Sequence, residues 1–375
     1  MALVRGAMDT ADMSGRLVVD MSAGISLLSP TETPILALLS SKGKKETLST
    51  RFDWLEDDIV SRYDTVSGEF FATDEEIAVE NPSYFNVRDL VQVTRTGELM
   101  LVTKVDIPTG TITVERGWGD VSATDLLTGE SLQIIGNVNE EGDSSREAII
   151  NNPSINYNFT QIFRSSVNIT ATAKNSATWD GSDLAYMRYK VGLEHALDIE
   201  RAFLFGERKE DTSGTHPKRT TAGILSSISS NLIDAEGELD ESSFNDNLAQ
   251  IFAYGSSTKY LFCSGKLISI IAGWARGLLT VRPSDTATGI SLTEYISAHG
   301  RLLLVPHRLL RGSLYENYGI FIDLNELTYR YLRGRDTKLY TNVQSPGYDG
   351  QIDEYITEAG LEFKSERKHG VIYNF

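Results

Sequence analysis

The stretch DLAYMRYKVGLEHALDIERAFLF, residues Asp183 to Phe205, decides the fold, because it is the longest run of helical periodicity and contains no Pro. At 3.6 residues per turn it predicts one helix of about six turns. Gly181 and Ser182 provide a cap-like entry, and Gly206 follows the last apolar residue. Apolar and aromatic side chains recur at three- or four-residue spacing, at Tyr186, Tyr189, Leu193, Leu197 and Leu204. This face of the helix is expected to be buried against apolar strands.

The chain supplies such strands on both sides of the helix. Residues 155–172 (INYNFTQIFRSSVNITAT) are rich in β-branched and aromatic residues, and the last 60 residues return to strand-like runs. These closing runs, YGIFIDLNELTYRYL, TKLYTNVQ and EYITEAGLEFKSERKHGVIYNF, are predicted to complete the sheet under the helix. Residues 206–220 (GERKEDTSGTHPKRT), directly after the helix, indicate a solvated loop.

A separate α/β lobe is predicted between residues 222 and 310. SSFNDNLAQIFAYG has a capped start and places Phe244, Leu248, Ile251 and Phe252 on one helical face. YLFCS (260–264) indicates a buried strand, GKLISIIAGWAR a following helix, and GRLLLVPHRLL (300–310) another strand. Alternation of strand and helix is typical of an α/β unit.

A small β unit is predicted before the helix. VRDLVQVTR (87–95), GELMLVTKVDI (97–107) and GTITVERGW (110–118) are separated by tight, Gly-containing links, which favour antiparallel hairpins. SLQIIGNV (131–138) is predicted as a fourth strand. Residues 80–138 therefore indicate a small β-barrel or sandwich, inserted in a longer segment that leaves the main core and returns to it.

The N-terminal residues 1–45 are interpreted as an extended arm, because Pro30 and Pro34 restrict the residues before them to extended backbone. The arm carries a short apolar anchor, Ile35, Leu36, Leu38 and Leu39, for which a neighbouring subunit is the expected cover. Phe52 and Trp54 follow in a strand of otherwise acidic character and are predicted to contact another subunit as well.

Composition bounds the function. The 375 residues are 41% hydrophobic, enough for two or three compact units. The net charge is −17, and residues 51–150 hold most of it, with 7 Lys and Arg against 21 Asp and Glu. Such a chain has no basic excess to neutralise phosphate, so nonspecific nucleic-acid binding is not expected. The loop His216 to Arg219 could be a small basic contact, but a solvated loop is the favoured interpretation.

The number of cysteines and the hydropathy of the chain exclude further classes of protein. The single cysteine, Cys263, excludes an intrachain disulfide and a multi-cysteine zinc site, and its apolar surroundings indicate a small buried hydrophobe. No apolar run approaches 18 residues, so no membrane span is expected. The N-terminus lacks a secretory signal, so we expect the protein to be cytoplasmic when it is made.

The residues that could carry catalysis or bind a metal do not form a known motif. His195 lies beside Glu194 and Asp198 without an HExxH pattern, and GxSxG, P-loop and GxGxxG motifs are absent. His299, His307 and His369 stand apart from any nucleophile motif. Structural histidines, no catalytic residues and no cofactor are therefore expected. Acidic clusters lack the spaced calcium loop and indicate solvated surface, with cation sites between subunits as the alternative: Glu56-Asp57-Asp58, Asp74-Glu75-Glu76 and Glu140-Glu141-Asp143.

The strings TETPILALL, FDWLEDD, VTKVD with GTITVERGWG, and ERKHGVIYNF, taken with the order of parts, resemble major capsid proteins of tailed bacteriophages. These proteins share the α+β Hong Kong 97-like fold, and the resemblance extends to a subgroup with a β insertion in the extended loop. It implies five parts: an N-terminal arm (1–45), an extended loop (46–150) with an inserted small β domain (about 80–138), a peripheral domain with the spine helix (151–221), an α/β axial domain (222–310), and closing strands of the peripheral domain (311–375).

The resemblance implies a subunit that self-assembles through hexamers and pentamers into an icosahedral shell. The shell would enclose double-stranded DNA without specific binding and would be assembled in the host bacterial cytoplasm. The arm has no long charged leader, which implies a separate scaffolding protein; a portal is a further expected partner, and a decoration protein remains open. The family's cross-linking Lys and Asn cannot be matched, since Lys104 lies in the β unit. The alternatives are a tail, baseplate or adhesion subunit, or an enzyme with an unrecognised site.

Overall fold

The computed structural model describes residues 33–142, 147–176, 183–274, 279–281 and 293–375. The chain forms two compact units, one made of Met1–Trp54 and Asn156–Phe375 and the other of Leu55–Ile155. Both helices and sheets build the first unit, and strands dominate the second. The predicted α+β class is therefore confirmed. The second unit, Leu55–Ile155, begins and ends several residues later than the extended loop predicted at 46–150.

The long helix, α3, spans Asp183–Phe205, the bounds that the sequence predicts. Its buried side chains are His195, Leu197, Ile199, Glu200, Phe203 and Leu204. Tyr189 is 59% exposed, which corrects its assignment to the buried face. Gly206 ends the helix, and a Cβ there would lie 2.4 Å from the Ala202 carbonyl oxygen, so only glycine fits this close approach. Gly181 and Ser182 lie outside the described residues.

Helix α3 packs on a five-stranded sheet. The main strand order is β1-β19-β21-β10, and β20 also pairs with β21. The bounds are β1 Lys45–Thr47, β10 Gln161–Thr170, β19 Leu327–Leu332, β20 Lys338–Tyr340 and β21 Gly350–Phe363. Three contacts, each about two turns from the next, fix the helix on the sheet. Arg188 Nε donates to Asp353 at 2.7 Å, His195 Nε2 lies 2.8 Å from Thr357 Oγ1, and the Phe203 ring meets Tyr329 edge-on.

A seven-stranded sheet forms the rest of the first unit, in the order β13-β22-β18-β14-β17-β16-β15. The bounds are β13 Leu232–Asp234, β14 Thr258–Cys263, β15 Leu279–Val281, β16 Thr293–Ile296, β17 Arg301–Pro306, β18 Tyr318–Ile322 and β22 Gly370–Tyr373. Strands β14 and β17 run parallel, with helix α6 (Gly265–Trp274) between them in sequence. This is the strand and helix alternation that the sequence predicts.

Both faces of the seven-stranded sheet are covered. Leu261 and Cys263 of β14 contribute to one core, together with α6 and with α5 (Glu241–Ile251). Phe262, between them in the strand, belongs to a second core shared with α3 and the five-stranded sheet. A strand buried on both faces reads as a continuous apolar run, which explains the sequence YLFC. Helix α5 is capped by Asp240, two residues before the predicted stretch that begins at Ser242, since the Asp240 side chain accepts a hydrogen bond from Ser243 N–H.

The closing residues 311–375 divide between the two sheets. Strands β19, β20 and β21 join the sheet under α3, as predicted, but β18 and β22 lie inside the seven-stranded sheet. The expectation that all closing strands complete one sheet is therefore wrong. Register between strands far apart in sequence depends on tertiary packing, which local patterns do not contain.

The second unit is a six-stranded antiparallel barrel, in the order β3-β8-β5-β6-β7-β4. The bounds are β3 Tyr63–Thr65, β4 Glu76–Ala78, β5 Asp89–Val93, β6 Leu99–Asp106, β7 Thr111–Glu115 and β8 Ser131–Asn137. A bridge between Val66 and Val79, with hydrogen bonds from Ser67 N to Ala78 O and from Glu80 N to Thr65 O, closes the ring. The barrel therefore begins at residue 63 rather than 80, because its two closing strands are only three residues long.

The remaining elements are short connections. Strands β2 (Arg51–Glu56) and β9 (Ser154–Phe159) pair with each other. Residues 206–220, predicted as a loop, contain a small hairpin of β11 (Lys209–Asp211) and β12 (Lys218–Thr220). The other helices are α1 Pro34–Lys42, α2 Ala171–Asn175, α4 Ile224–Ser227 and α7 Gly312–Tyr315, with 3₁₀ turns at Pro82–Tyr84, Leu324–Glu326 and Glu366–Lys368.

Candidate functional site: surfaces for assembly

The apolar anchor of the predicted arm forms helix α1, which corrects the expectation of an extended segment. Pro34 stands in the first turn, where a missing N–H is tolerated and the fixed φ suits a helix. Ile35, Leu38 and Leu39 are at most 4% exposed and pack in the core shared with α3. The chain itself therefore covers these three side chains, and the structure does not support their predicted contact with another subunit. Leu36 is half-buried and remains a predicted contact.

A buried carboxylate fixes the start of α1. Glu200 of α3 accepts hydrogen bonds from Ile35 N and Leu36 N, both at 2.8 Å. His307 Nε2 lies 3.0 Å from the same carboxylate, and Leu309 N donates to His307 Nδ1, which assigns the proton to Nε2. The first N–H groups of a helix lack partners within the helix and attract negative charge. Glu200 and His307 have no exposed side-chain surface, so this arrangement attaches α1 firmly to α3.

Phe52 also belongs to the interior of the chain. It is 6% exposed, its ring lies against the backbone of Gly360, and the Arg330 guanidinium is 5.9 Å from the ring centre. This corrects the predicted subunit contact of Phe52: Gly360 has no side chain, so β21 offers a space that the ring fills. Trp54 is half-buried, stacks on Phe52 at 6.1 Å, and remains a predicted contact.

An exposed apolar surface that the site prediction omits lies beside the β2–β9 pair. Leu55, Ile59, Ile150 and Ile155, here called the ribbon patch, are between 64% and 87% exposed. The two segments are held side by side, because Asn151 Nδ2 donates to Asp58 O and Ser154 Oγ donates to Glu56 O. The aliphatic residues among acidic neighbours are visible in the sequence, but their common placement requires the pairing of β2 with β9.

The histidines, the cysteine and the buried lysine have structural roles. His195 is held between Ser165 Oγ at 2.9 Å and Thr357 Oγ1, and burial lowers its pKa. Burial raises the pKa of the Cys263 thiol. Burial also lowers the pKa of Lys259 to about 8, although its ammonium group donates to three backbone carbonyls. The polar atoms of these three side chains contact other groups of the protein.

The acidic clusters do not form a metal site in the described part of the chain. No group of three His, Cys, Asp or Glu side chains within it has a suitable arrangement for a metal ion, and Asp143 lies outside it. Across the same residues, the helices are too short or too polar to cross a membrane.

Known proteins share both sequence and fold with this chain. The family described as SU10 major capsid protein matches residues 7–375. A major capsid protein of Pseudomonas phage PaMx41 is 26% identical over 330 residues, which cover 84% of this chain and 78% of the relative. The capsid of a native GTA particle shares the fold with a TM-score of 0.51 at 10% identity over 97% of both chains. The capsid of the empty GTA particle gives the same score and identity over 99% of both chains.

The shared fold is the Hong Kong 97-like capsid fold, which confirms the fold predicted from the sequence. The sequence match begins in the N-terminal segment and includes both compact units, so it is not confined to one domain. Together these findings establish that the chain belongs to the SU10 major capsid protein family.

Proposed function

We propose that this phage major capsid protein assembles with further copies of itself into hexamers and pentamers, which build an icosahedral shell around double-stranded DNA. The main support for this proposal is the ribbon patch, because its four large aliphatic side chains are exposed to solvent on a surface that a second copy would cover. Complete burial of one such side chain contributes about 1.5–3 kcal/mol, so the patch can supply several kcal/mol to each contact.

The two compact units support an assignment of the domains. We assign α3 with its five-stranded sheet to the peripheral domain, the seven-stranded sheet with α5 and α6 to the axial domain, and Leu55–Ile155 to the extended loop with its inserted barrel. The arm is then reduced to the residues before α1. In this assignment the ribbon patch belongs to the extended loop, which lies across a neighbouring subunit.

Charge supports enclosure of DNA without specific binding. The net charge of −17 repels the genome over long range, and no basic stripe counters it in the sequence. The acidic segment 51–147 then faces outward or lies between subunits. A scaffolding protein and a portal complete the assembly reaction in the host cytoplasm. A tail, baseplate or adhesion subunit is not favoured, because the family that matches residues 7–375 is one of major capsid proteins.

The test is the double variant Ile59→Ser with Ile150→Ser. We expect it to melt at the temperature of the wild-type protein but to lose shells and capsomers in electron micrographs and in sedimentation velocity. Ile107→Ser is the matched control, since Ile107 is similarly exposed in the same unit but lies in the turn between β6 and β7. Normal shells from the double variant would refute the role of the ribbon patch.

A further inference from the structure

One end of the barrel carries exposed apolar side chains on two loops, residues 66–75 and 116–130. Phe71, Trp118, Val121 and Leu127, here called the apolar tip, are between 40% and 71% exposed. The loops are joined at a two-way bridge, in which Phe70 and Leu126 exchange backbone hydrogen bonds at 3.1 and 2.8 Å. Phe71 and Leu127 are the next residues on each side of this bridge, so the tip is a shared surface of both loops.

A buried ion pair holds the two loops in place. Arg116 Nε and Nη2 donate to the two carboxylate oxygens of Glu98 at 2.7 and 2.9 Å, and both side chains are at most 5% exposed. Arg116 also donates to the carbonyl oxygens of Phe71 and Thr124, one on each loop. Glu98 accepts from Thr124 N in turn, and these hydrogen bonds hold the pKa of its carboxyl below the usual value. The tip is thus preorganised, which reduces the entropy lost when a partner binds.

The charge around the tip is mainly negative, and the Arg95 guanidinium that contacts the second loop is paired with Glu130 at 2.8 Å. The exposed ionisable side chains of the two loops include Glu69, Glu75, Asp120 and Asp125, and their only basic residue is the buried Arg116. Aromatic side chains within a polar rim are typical of the centre of a binding interface. A partner that covers this tip must therefore bring apolar side chains together with positive charge.

We propose that the apolar tip is a docking site for a separate basic protein, one that presents Lys or Arg beside apolar side chains. A second copy of this chain is the less suitable occupant, because residues 51–150 are strongly acidic and the rest of the chain, with 28 Lys and Arg against 31 Asp and Glu, has no basic excess. Oppositely charged surfaces attract during encounter and like-charged surfaces repel. The docking site is additional to the ribbon patch, which serves contact between copies.

The site can be tested with two synthetic peptides of equal length, one built from Lys and Leu and one from Lys alone. Calorimetric titration of the unassembled protein should show at least about tenfold tighter binding of the Lys/Leu peptide. The variant Phe71→Ser with Trp118→Ser should remove that difference, whereas Ile107→Ser should retain it. Glu69→Gln with Asp120→Asn should weaken both peptides and keep their ratio. Equal binding of the two peptides, or a ratio unaffected by the first variant, would overturn the proposal.

Hydroxyl-radical footprinting of shells made from this chain alone distinguishes the two occupants. Phe71 and Trp118 should react in shells as they do in the unassembled protein if the site is kept for another protein. Protection of both residues in such shells would assign the tip to a second copy and would overturn the proposal. If this chain forms no shells without a scaffolding protein, the peptide titration of the unassembled protein decides the docking site.

Discussion

Glu200 is a residue whose role depends on three partners that are distant in sequence. Its carboxylate meets two N–H groups of α1 and one ring nitrogen of His307 without water access. A buried charge is costly unless it is fully hydrogen-bonded, and here each hydrogen bond also satisfies a buried donor. The Glu200–His307 pair therefore links α1, α3 and the end of β17.

We expect Glu200→Ala to destabilise the protein by about 3 kcal/mol, because it leaves three buried donors without an acceptor. Denaturant unfolding measures the change. Asp198→Ala on the same helix is the control, since Asp198 is exposed and pairs with exposed Arg201, a contact worth at most about 1 kcal/mol. Equal losses from both variants would contradict the role of Glu200.

His369 makes stability depend on pH. Burial lowers its pKa to about 4, and in the neutral ring Nδ1 accepts from Asp323 N while Nε2 donates to Lys364 O. Its charged neighbours are Lys259, Asp323 and Lys368.

Since the unfolded chain protonates this histidine near pH 6.5 and the folded chain only near 4, stability should fall on acidification through that window. The contribution is up to about 3 kcal/mol. Unfolding free energies of the wild type and His369→Gln, measured from pH 7 to 4, should show a flatter profile for the variant, and parallel profiles would contradict this.

Elements with a strong local pattern could be predicted from the sequence. The periodicity of α3, the apolar face of α5 and the Gly-containing hairpins β5-β6-β7 are contained in neighbouring residues, and the structure has these elements where the sequence places them. Helix α1 could not be predicted in this way, since Pro34 suits either extended chain or a first helical turn. The hydrogen bonds to Glu200 and the burial of Ile35, Leu38 and Leu39 in the core decide between them. The partners of Glu200, Phe52 and the ribbon patch are likewise set by tertiary contacts.

The barrel should fold as an independent element, because its ring is closed and its apolar interior comes from its own strands. We expect the fragment 55–155 to melt cooperatively and to give dispersed amide resonances. The fragment 80–138, the range predicted from the sequence, is the matched control: it lacks β3 and β4, which leaves two open strand edges, and it should not fold. A folded control fragment would show that closure is not required.

At the scale of the whole molecule, the arm and the core are divided at α1. Deletion of residues 1–32 should leave a cooperatively melting protein that no longer forms shells, because the packed residues from Pro34 onward are retained. Deletion of residues 1–40 also removes Ile35, Leu38 and Leu39 and should lower the melting temperature strongly. Calorimetry and electron microscopy of both truncations provide the measurement. Intact shells from the shorter deletion would exclude an assembly role for the arm.

The division of the closing strands has a consequence for synthesis on the ribosome. Strand β22 lies between β13 and β18, so the seven-stranded sheet cannot form until residues 370–373 have emerged from the exit tunnel. Strand β13, translated more than a hundred residues earlier, must wait for β22 as its partner. A polypeptide released early by a nonsense codon or a stalled ribosome therefore lacks the completed sheet and is a substrate for cellular proteases. A chain whose translation stops before residue 370 cannot form the pairs of β22 with β13 and β18.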